Sequence, residues 1–323
     1  MSDKKFVTII SGTLVSLIII FYLLALFLPE ERYMDDEYPS WLQQRDYIST
    51  KGSKQEVLLL GDSRIKMGVL ATKLGENTYN LALGGGSPIE MYYTLKTYLN
   101  HHPAPKAIII SFGPIHYTQM ASYTARGMYF HYYDDETIKY VNSIIYKMDG
   151  KDLTSDAKMF KYRLPNVYMQ PILKSIIKPR TRENRDLYER ARKEKGRLFR
   201  KNEHNERKSV YIPESKDKGF IPLKSLTFFM EEIIQLCQNN NIPVYVEQTP
   251  MGNPGYQKLK ENGYFTDYKT YLKAFQEKFR IPINYDVPLY EAQYFQDDSH
   301  LNIKGAQKYT LELRNKYPQI FKE

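Results

Sequence analysis

Gln55-Glu56-Val57-Leu58-Leu59-Leu60-Gly61-Asp62-Ser63-Arg64 decides the reading of this chain. A short apolar run ends on a glycine and passes at once to an acid, a hydroxyl and a base. Runs of this length bounded by turn residues read as strands buried on both faces. The same grammar recurs downstream. Residues 77–83 read as a second strand, 89–100 have helical spacing, and 106–112, rich in isoleucine, read as a third strand. Further on, Leu226, Phe229, Ile233, Leu236 and Cys237 fall on one face of a helix over 224–240. Residues 242–247 read as a fourth strand, 268–279 as a helix, 283–286 as a fifth strand and 303–317 as a closing helix. Strands alternating with helices specify an α/β fold whose parallel sheet is covered on both faces. Such folds carry their chemistry at the C-terminal ends of the strands.

Between about 116 and 222 the alternation stops, and a Tyr-rich helical insert is expected. Residues 178–208 hold 13 Lys/Arg against 6 Asp/Glu, which is most of the chain's net charge of +9. The Glu/Arg spacing from Arg182 to Arg192 reads as a solvated helix with i,i+4 pairs. The alternative is a surface for an anionic polymer or lipid headgroups. No nucleic-acid fold signature is present, so nucleic acid is not an expected partner. The 29 tyrosines either pack or line a surface that handles carbohydrate. A lone cysteine, Cys237, excludes an internal disulfide framework and a thiolate zinc cluster, and its helical setting reads as a buried core thiol. His101-His102 has no carboxylate or cysteine company, so no metal and no cofactor are expected.

Residues 6–28 form 23 positions without a charge. As a helix they would reach about 34 Å, enough for a hydrocarbon core of about 30 Å. A core helix or a cleaved signal peptide are the rival readings. A signal peptide's apolar region is usually shorter and precedes a small-residue cleavage site, whereas Leu26-Phe27-Leu28-Pro29-Glu30-Glu31-Arg32 follows here. An uncleaved anchor is therefore expected. Lys4 and Lys5 precede it, and Glu30, Glu31, Asp35, Asp36 and Glu37 follow it. That bias places the N-terminus in the cytoplasm and the large domain outside. The expected organisation is a cytoplasmic stub and anchor over 1–28, a stalk or lead-in helix over 29–54, and one domain over 55–323.

Ser63 stands where the first strand ends. On a tight turn before a helix its hydroxyl would project above the sheet, with its own N–H free to hold a developing oxyanion. Taken alone, Gly-Asp-Ser is equally a plain turn with a helix cap. At the far end, Asp297-Asp298-Ser299-His300-Leu301-Asn302 precedes the last helix. An Asp and a His three residues apart on a turn can bond directly, the carboxylate fixing the imidazole tautomer and the imidazole taking a serine proton. Asp298 is the alternative carboxylate.

On these residues the chain resembles the SGNH (GDSL-type) hydrolase superfamily. Gly61-Asp62-Ser63 matches its first block, Asn80 to Ser87 is similar to its second, and Asp297 to His300 matches its last. The resemblance implies a three-layer, flavodoxin-like parallel sheet with Ser63 as nucleophile and Asp297 and His300 as its partners. It also implies an oxyanion site formed by the N–H groups of Ser63 and Gly85. The third block departs: Ser111-Phe112-Gly113-Pro114-Ile115-His116 stands where the family usually has Gly-x-Asn-Asp, which leaves His116 as a substitute donor. An anchor, a degenerate third block and a large insert also resemble the membrane-anchored partners of membrane-bound O-acyltransferases (MBOAT type). Examples are the DltD protein of teichoic-acid D-alanylation and the alginate O-acetylation proteins. That likeness implies an extracytoplasmic O-acyltransferase or acyl relay acting on a cell-envelope glycopolymer. A carbohydrate esterase or lipase, and a catalytically inactive scaffold of an envelope-assembly complex, are the other readings.

Overall fold

The computed structural model describes residues 3–198, 200, 202–210 and 219–321. Helix α1 (Asp3–Phe27) is followed by α2 (Glu30–Tyr33) and α3 (Tyr38–Ser49). The α/β domain then begins with β1 (Val57–Gly61), α4 (Ser63–Gly68), α5 (Ala71–Leu74), β2 (Thr78–Asn80), α6 (Pro88–His101) and β3 (Ala107–Ser111). The insert follows as α7 (Asp135–Asp149), α8 (Thr154–Lys161), α9 (Pro165–Ile177) and α10 (Thr181–Lys193). The domain closes with α11 (Lys224–Asn239), β4 (Val244–Val246), β5 (Met251–Gly252), α12 (Asn253–Glu261), α13 (Tyr264–Phe279), β6 (Leu289–Tyr290), α14 (Ile303–Lys316) and α15 (Pro318–Phe321).

The main sheet runs β2-β1-β3-β4, parallel throughout. Side chains alternate across it with the period of a strand. Leu58, Leu60, Ile108 and Ile110 pack with Leu95 of α6 and Phe229 and Ile233 of α11. Val57, Leu59 and Ile109 pack on the opposite side with Ile65 of α4 and Tyr309 and Leu313 of α14. Burial on both faces explains why β1 and β3 are continuous apolar runs rather than alternating ones. Helix α6 starts at a capping box in which Ser87 and Glu90 bond each other's backbone, with Pro88 in the first turn.

The fifth strand is not formed. Only a single bridge joins Ile283 to Val246. Asn284 still bonds the end of β4, its N–H donating to the Val246 carbonyl at 2.8 Å, while its side chain closes a turn: the amide donates to the Asp286 carbonyl and the oxygen accepts from the Asp286 N–H. This local competition with the ladder is typical of Asn. A separate two-stranded pair, β5 with β6, forms instead.

Residues 29–54 do not project as a stalk. Helix α3 packs on α6 and α10, and Trp41, only 1% exposed, lies edge-on to Phe130 and Tyr132. Its burial is hidden in the sequence because part of the inward face is polar. Gln43 donates to the Tyr79 hydroxyl at 2.6 Å and Gln44 to Thr94 at 3.1 Å. The tyrosines serve packing to a large extent: Tyr98, Tyr117, Tyr123, Tyr168, Tyr264 and Tyr268 are among the largest fully buried side chains. Cys237 is buried, and burial pushes its thiol up to about 12.

Helix α1 is long and apolar enough to cross a membrane, and its most apolar stretch is only 11% buried, which excludes a core helix. Part of the expected basic insert, residues 199, 201 and 211–218, lies outside the described residues. In the described part, α10 is a docked helix on α3 and α2. Several of the basic side chains there are paired: Arg185 with Glu31, Arg192 with Glu189 and the buried Arg197 with Glu203.

Candidate active site

Strand β1 delivers the site through Gly61, whose φ is +151°. A Cβ there would meet the Ser111 carbonyl oxygen at 1.8 Å, so the close approach of β1 and β3 ends requires glycine. Asp62 is fully buried and caps α4, accepting from the Arg64 N–H at 2.7 Å. Its second oxygen accepts from the Gly113 N–H at 2.6 Å and lies 3.2 Å from His116 Nε2. One carboxylate thus ties the end of β1 to the loop after β3. It also lies within reach of a ring nitrogen of His116, so that this carboxylate and the ring expected as a substitute donor stand side by side.

Ser63 opens α4, and its Oγ lies 2.7 Å from His300 Nε2. On the other side of the ring, His300 Nδ1 is 2.9 Å from each oxygen of Asp297. The Ser299 and His300 backbone N–H groups donate to Asp297 Oδ1 at 3.0 and 2.9 Å. Burial alone would raise this carboxyl. The hydrogen bond and charge of His300, joined by the two N–H groups, outweigh burial and hold Asp297 at about 2. The turn that presents Asp297 and His300 is clamped at its base. Phe295 bridges Leu301, both buried, and the Gln296 N–H donates to the His300 carbonyl at 3.0 Å. Asp298 is drawn off to Arg207 at 2.9 Å, which leaves Asp297 as the ring's partner.

The glycine loop after β2 lies against this end of β1. The Leu83 N–H donates to the Gly61 carbonyl at 3.1 Å, and a Cβ on Gly86 would approach that same oxygen to 2.9 Å. Gly85 has a φ of +69°, and a Cβ there would meet Ser122 Oγ at 2.3 Å. Asn80 secures the loop to α4: its amide donates to the Ile65 carbonyl at 3.0 Å while its oxygen accepts from the Ala82 N–H at 3.2 Å.

Sequence reasoning missed what borders this loop. Glu37 sits between Arg126 and Arg200, 2.6 Å from each, and within 2.7 Å of where a Gly84 Cβ would stand. These three residues come from distant segments, and no local pattern marks them. The fully buried Lys66 was missed as well. Its Nζ is 3.5 Å from Gln44 Oε1, and burial lowers it to about 7.

No curated protein matches this sequence. A solved structure from Streptococcus pneumonia, described as that of "a putative platelet activating factor", aligns with 98% of this chain and 99% of its own. The identity is 11% and the TM-score 0.38. The profile of the family described as "Protein of unknown function (DUF1574)" matches residues 34–317, and the chain belongs to that family.

Proposed function

We propose that this protein is a membrane-anchored serine acyltransferase or acyl relay with an SGNH-like, flavodoxin-like core. In this reading it modifies a cell-envelope glycopolymer from the extracytoplasmic side. The observation that carries it is the Ser63–His300–Asp297 relay. It joins residues 237 positions apart, at 2.7 Å on one side of the ring and 2.9 Å on the other. Such an arrangement suits acyl transfer, in which each proton movement has a placed donor and acceptor.

In the first half-reaction His300 Nε2 takes the Ser63 proton as Oγ bonds to the acyl carbonyl carbon. The N–H groups of Ser63 and Gly85 hold the resulting oxyanion. The intermediate collapses, the bond to the donor's leaving group breaks, and His300 returns the proton to it. In the second half-reaction a polymer hydroxyl gives its proton to His300 and bonds to the acyl carbon of acyl-Ser63; the bond from that carbon to Oγ then breaks, His300 returns the proton to Oγ, and the polymer leaves as the ester. A multi-pass membrane O-acyltransferase of the MBOAT type is the proposed source of the acyl group. Water at the same position would give hydrolysis. His300 and Asp297 retain 15% and 34% side-chain exposure, which favours that esterase reaction as the alternative.

The test supplies a labelled aryl acetate to the purified full-length protein, with and without a soluble envelope polysaccharide. Transfer of label to polysaccharide supports the relay. Release of acetate alone, unchanged by polysaccharide, supports the esterase. Label movement that is the same in Ser63→Ala would remove both.

A further inference from the structure

Helix α9 has two apolar stripes. Tyr168, Ile172 and Ser175 are buried in the domain. Met169, Leu173, Ile176 and Ile177 face out, exposed by 45, 50, 52 and 90%. Their spacing of four, three and one puts them on one side of the helix. A row of exposed aliphatic side chains of this kind is unusual on a surface that meets only water.

The position of α9 says what covers it. Helix α9 packs on α1, and the buried residues of α1 are Phe21 and Ala25. Both lie inside the uncharged stretch 6–28. Phe21 precedes Leu28 by seven residues, which is about 10 Å along a helix axis. A domain seated on α1 at that level therefore reaches about 10 Å below the outer end of the apolar segment. Helices that lie in a bilayer interface sink by about 5–10 Å.

Beside α9, where α1 gives way to α2, a cavity of about 200 Å³ is lined by Arg32, Lys174, Lys178 and Arg180, with Asp35 the one carboxylate among the described lining residues and Glu183 3.5 Å from the Arg180 guanidinium. The Arg180 N–H donates to the Arg32 carbonyl at 2.9 Å, which fixes the two arginines side by side. The Nε atoms of both are buried without a hydrogen-bond partner. Phosphate oxygens accept from guanidinium groups in this geometry, and juxtamembrane cations favour anionic lipid surfaces.

We infer that α9 is a membrane-surface helix whose Met169–Leu173–Ile176–Ile177 stripe enters the acyl-chain region where α1 emerges. The adjoining Arg32, Lys174, Lys178 and Arg180 pocket holds the phosphate of an anionic phospholipid. This inference rests on α1 being an uncleaved anchor, one part of the proposed function, and is independent of the chemistry at Ser63. It assigns the lipid contact to α9 and its pocket, not to the basic helix α10.

The test uses the full-length chain in vesicles of phosphatidylcholine, with and without phosphatidylglycerol. Because Cys237 is buried, a polarity-sensitive thiol dye labels Leu173→Cys and Ile177→Cys selectively, with the exposed Leu311→Cys as control. The expected result is a blue-shifted emission at positions 173 and 177 that spin-labelled lipid quenches, and water-like emission at 311. Quenching should deepen with phosphatidylglycerol, and that gain should disappear in an Arg32→Gln/Arg180→Gln variant. Water-like emission at both α9 positions in a full-length, membrane-bound chain overturns the inference alone. A blue shift without lipid quenching, accompanied by crosslinking between copies, overturns it in favour of a dimer contact. Intact-mass measurement of the protein from membranes reads the anchor separately. A shortened chain removes the anchor and this inference together.

Discussion

Replacing Asp297 by Asn tests how the relay is oriented. Asp297 Oδ1 accepts two backbone N–H groups, from Ser299 and His300, at 3.0 and 2.9 Å. An Asn at this place would keep its carbonyl oxygen there and put its NH2 group where Oδ2 now lies, 2.9 Å from His300 Nδ1. His300 Nδ1 lies 2.9 Å from both positions, so the NH2 group competes there with the carbonyl oxygen; a ring paired with the NH2 accepts at Nδ1 and carries its proton on Nε2, the nitrogen that faces Ser63 Oγ at 2.7 Å. The ring would present a donor where a base is needed. A wrong tautomer of this kind costs on the order of 10⁴ in kcat, or about 5 kcal/mol of transition-state stabilisation. Ester turnover by the purified variant should therefore fall by about 10³–10⁴-fold, with little change in thermal midpoint because the turn keeps its backbone bonds. Asp298→Asn is the matched control. Asp298 pairs with Arg207 in an exposed ion pair, so its loss should leave turnover within about threefold. An Asp297→Asn protein that retains more than a tenth of the activity would refute the claim that this carboxylate sets the tautomer.

Gly85→Ala should lower turnover by about 10²–10³-fold, since its φ of +69° and the 2.3 Å approach to Ser122 Oγ force the N–H to move; the same ester assay reads it. Lys66→Met should stabilise the fold by a few kcal/mol in denaturant titrations near pH 6. Burial lowers Lys66 from 10.5 to about 7, so the unfolded chain binds the extra proton between those values. Native stability then rises with pH across that window, and the advantage of the Met variant should shrink towards pH 10. Glu30→Gln should cost about 2–4 kcal/mol at neutral pH, because Glu30 Oε1 is 2.6 Å from both His131 and Arg163. Burial raises this carboxyl, but its interactions with His131 and the Arg163 guanidinium outweigh burial and lower it to about 2. Its contribution is present above the usual carboxylate range and is lost as pH falls through about 2, so wild type and variant should converge in acid unfolding curves.

Much of the architecture was legible because burial on both faces leaves an unbroken apolar record, as in Val57–Gly61 and Ala107–Ser111. The turn from Asp297 to His300 was legible because its geometry is local. What escaped reading has a common cause: partners brought together from far apart. Helix α3 is buried through Gln43 and Gln44, which look solvent-facing until Tyr79 and Thr94 meet them. Glu37, Arg126 and Arg200 carry no mutual signal along the chain, yet they form one ion-pair group beside Gly84. Charge counting over 178–208 could not separate the paired Arg197, 2% exposed, from truly solvated cations. The expected fifth strand is reduced to one bridge, after which the Asn284 side chain closes a turn with Asp286.

The central claim is that Ser63 carries an acyl group. The direct measurement is peptide mass spectrometry of full-length protein quenched in acid during turnover of an activated acyl ester. The account predicts the acyl mass on the peptide containing Ser63. It should be strongly reduced in His300→Ala, which lacks the base that takes the Ser63 proton, and be absent from Ser63→Ala. Acyl mass on another residue, or equal labelling in Ser63→Ala, would contradict it.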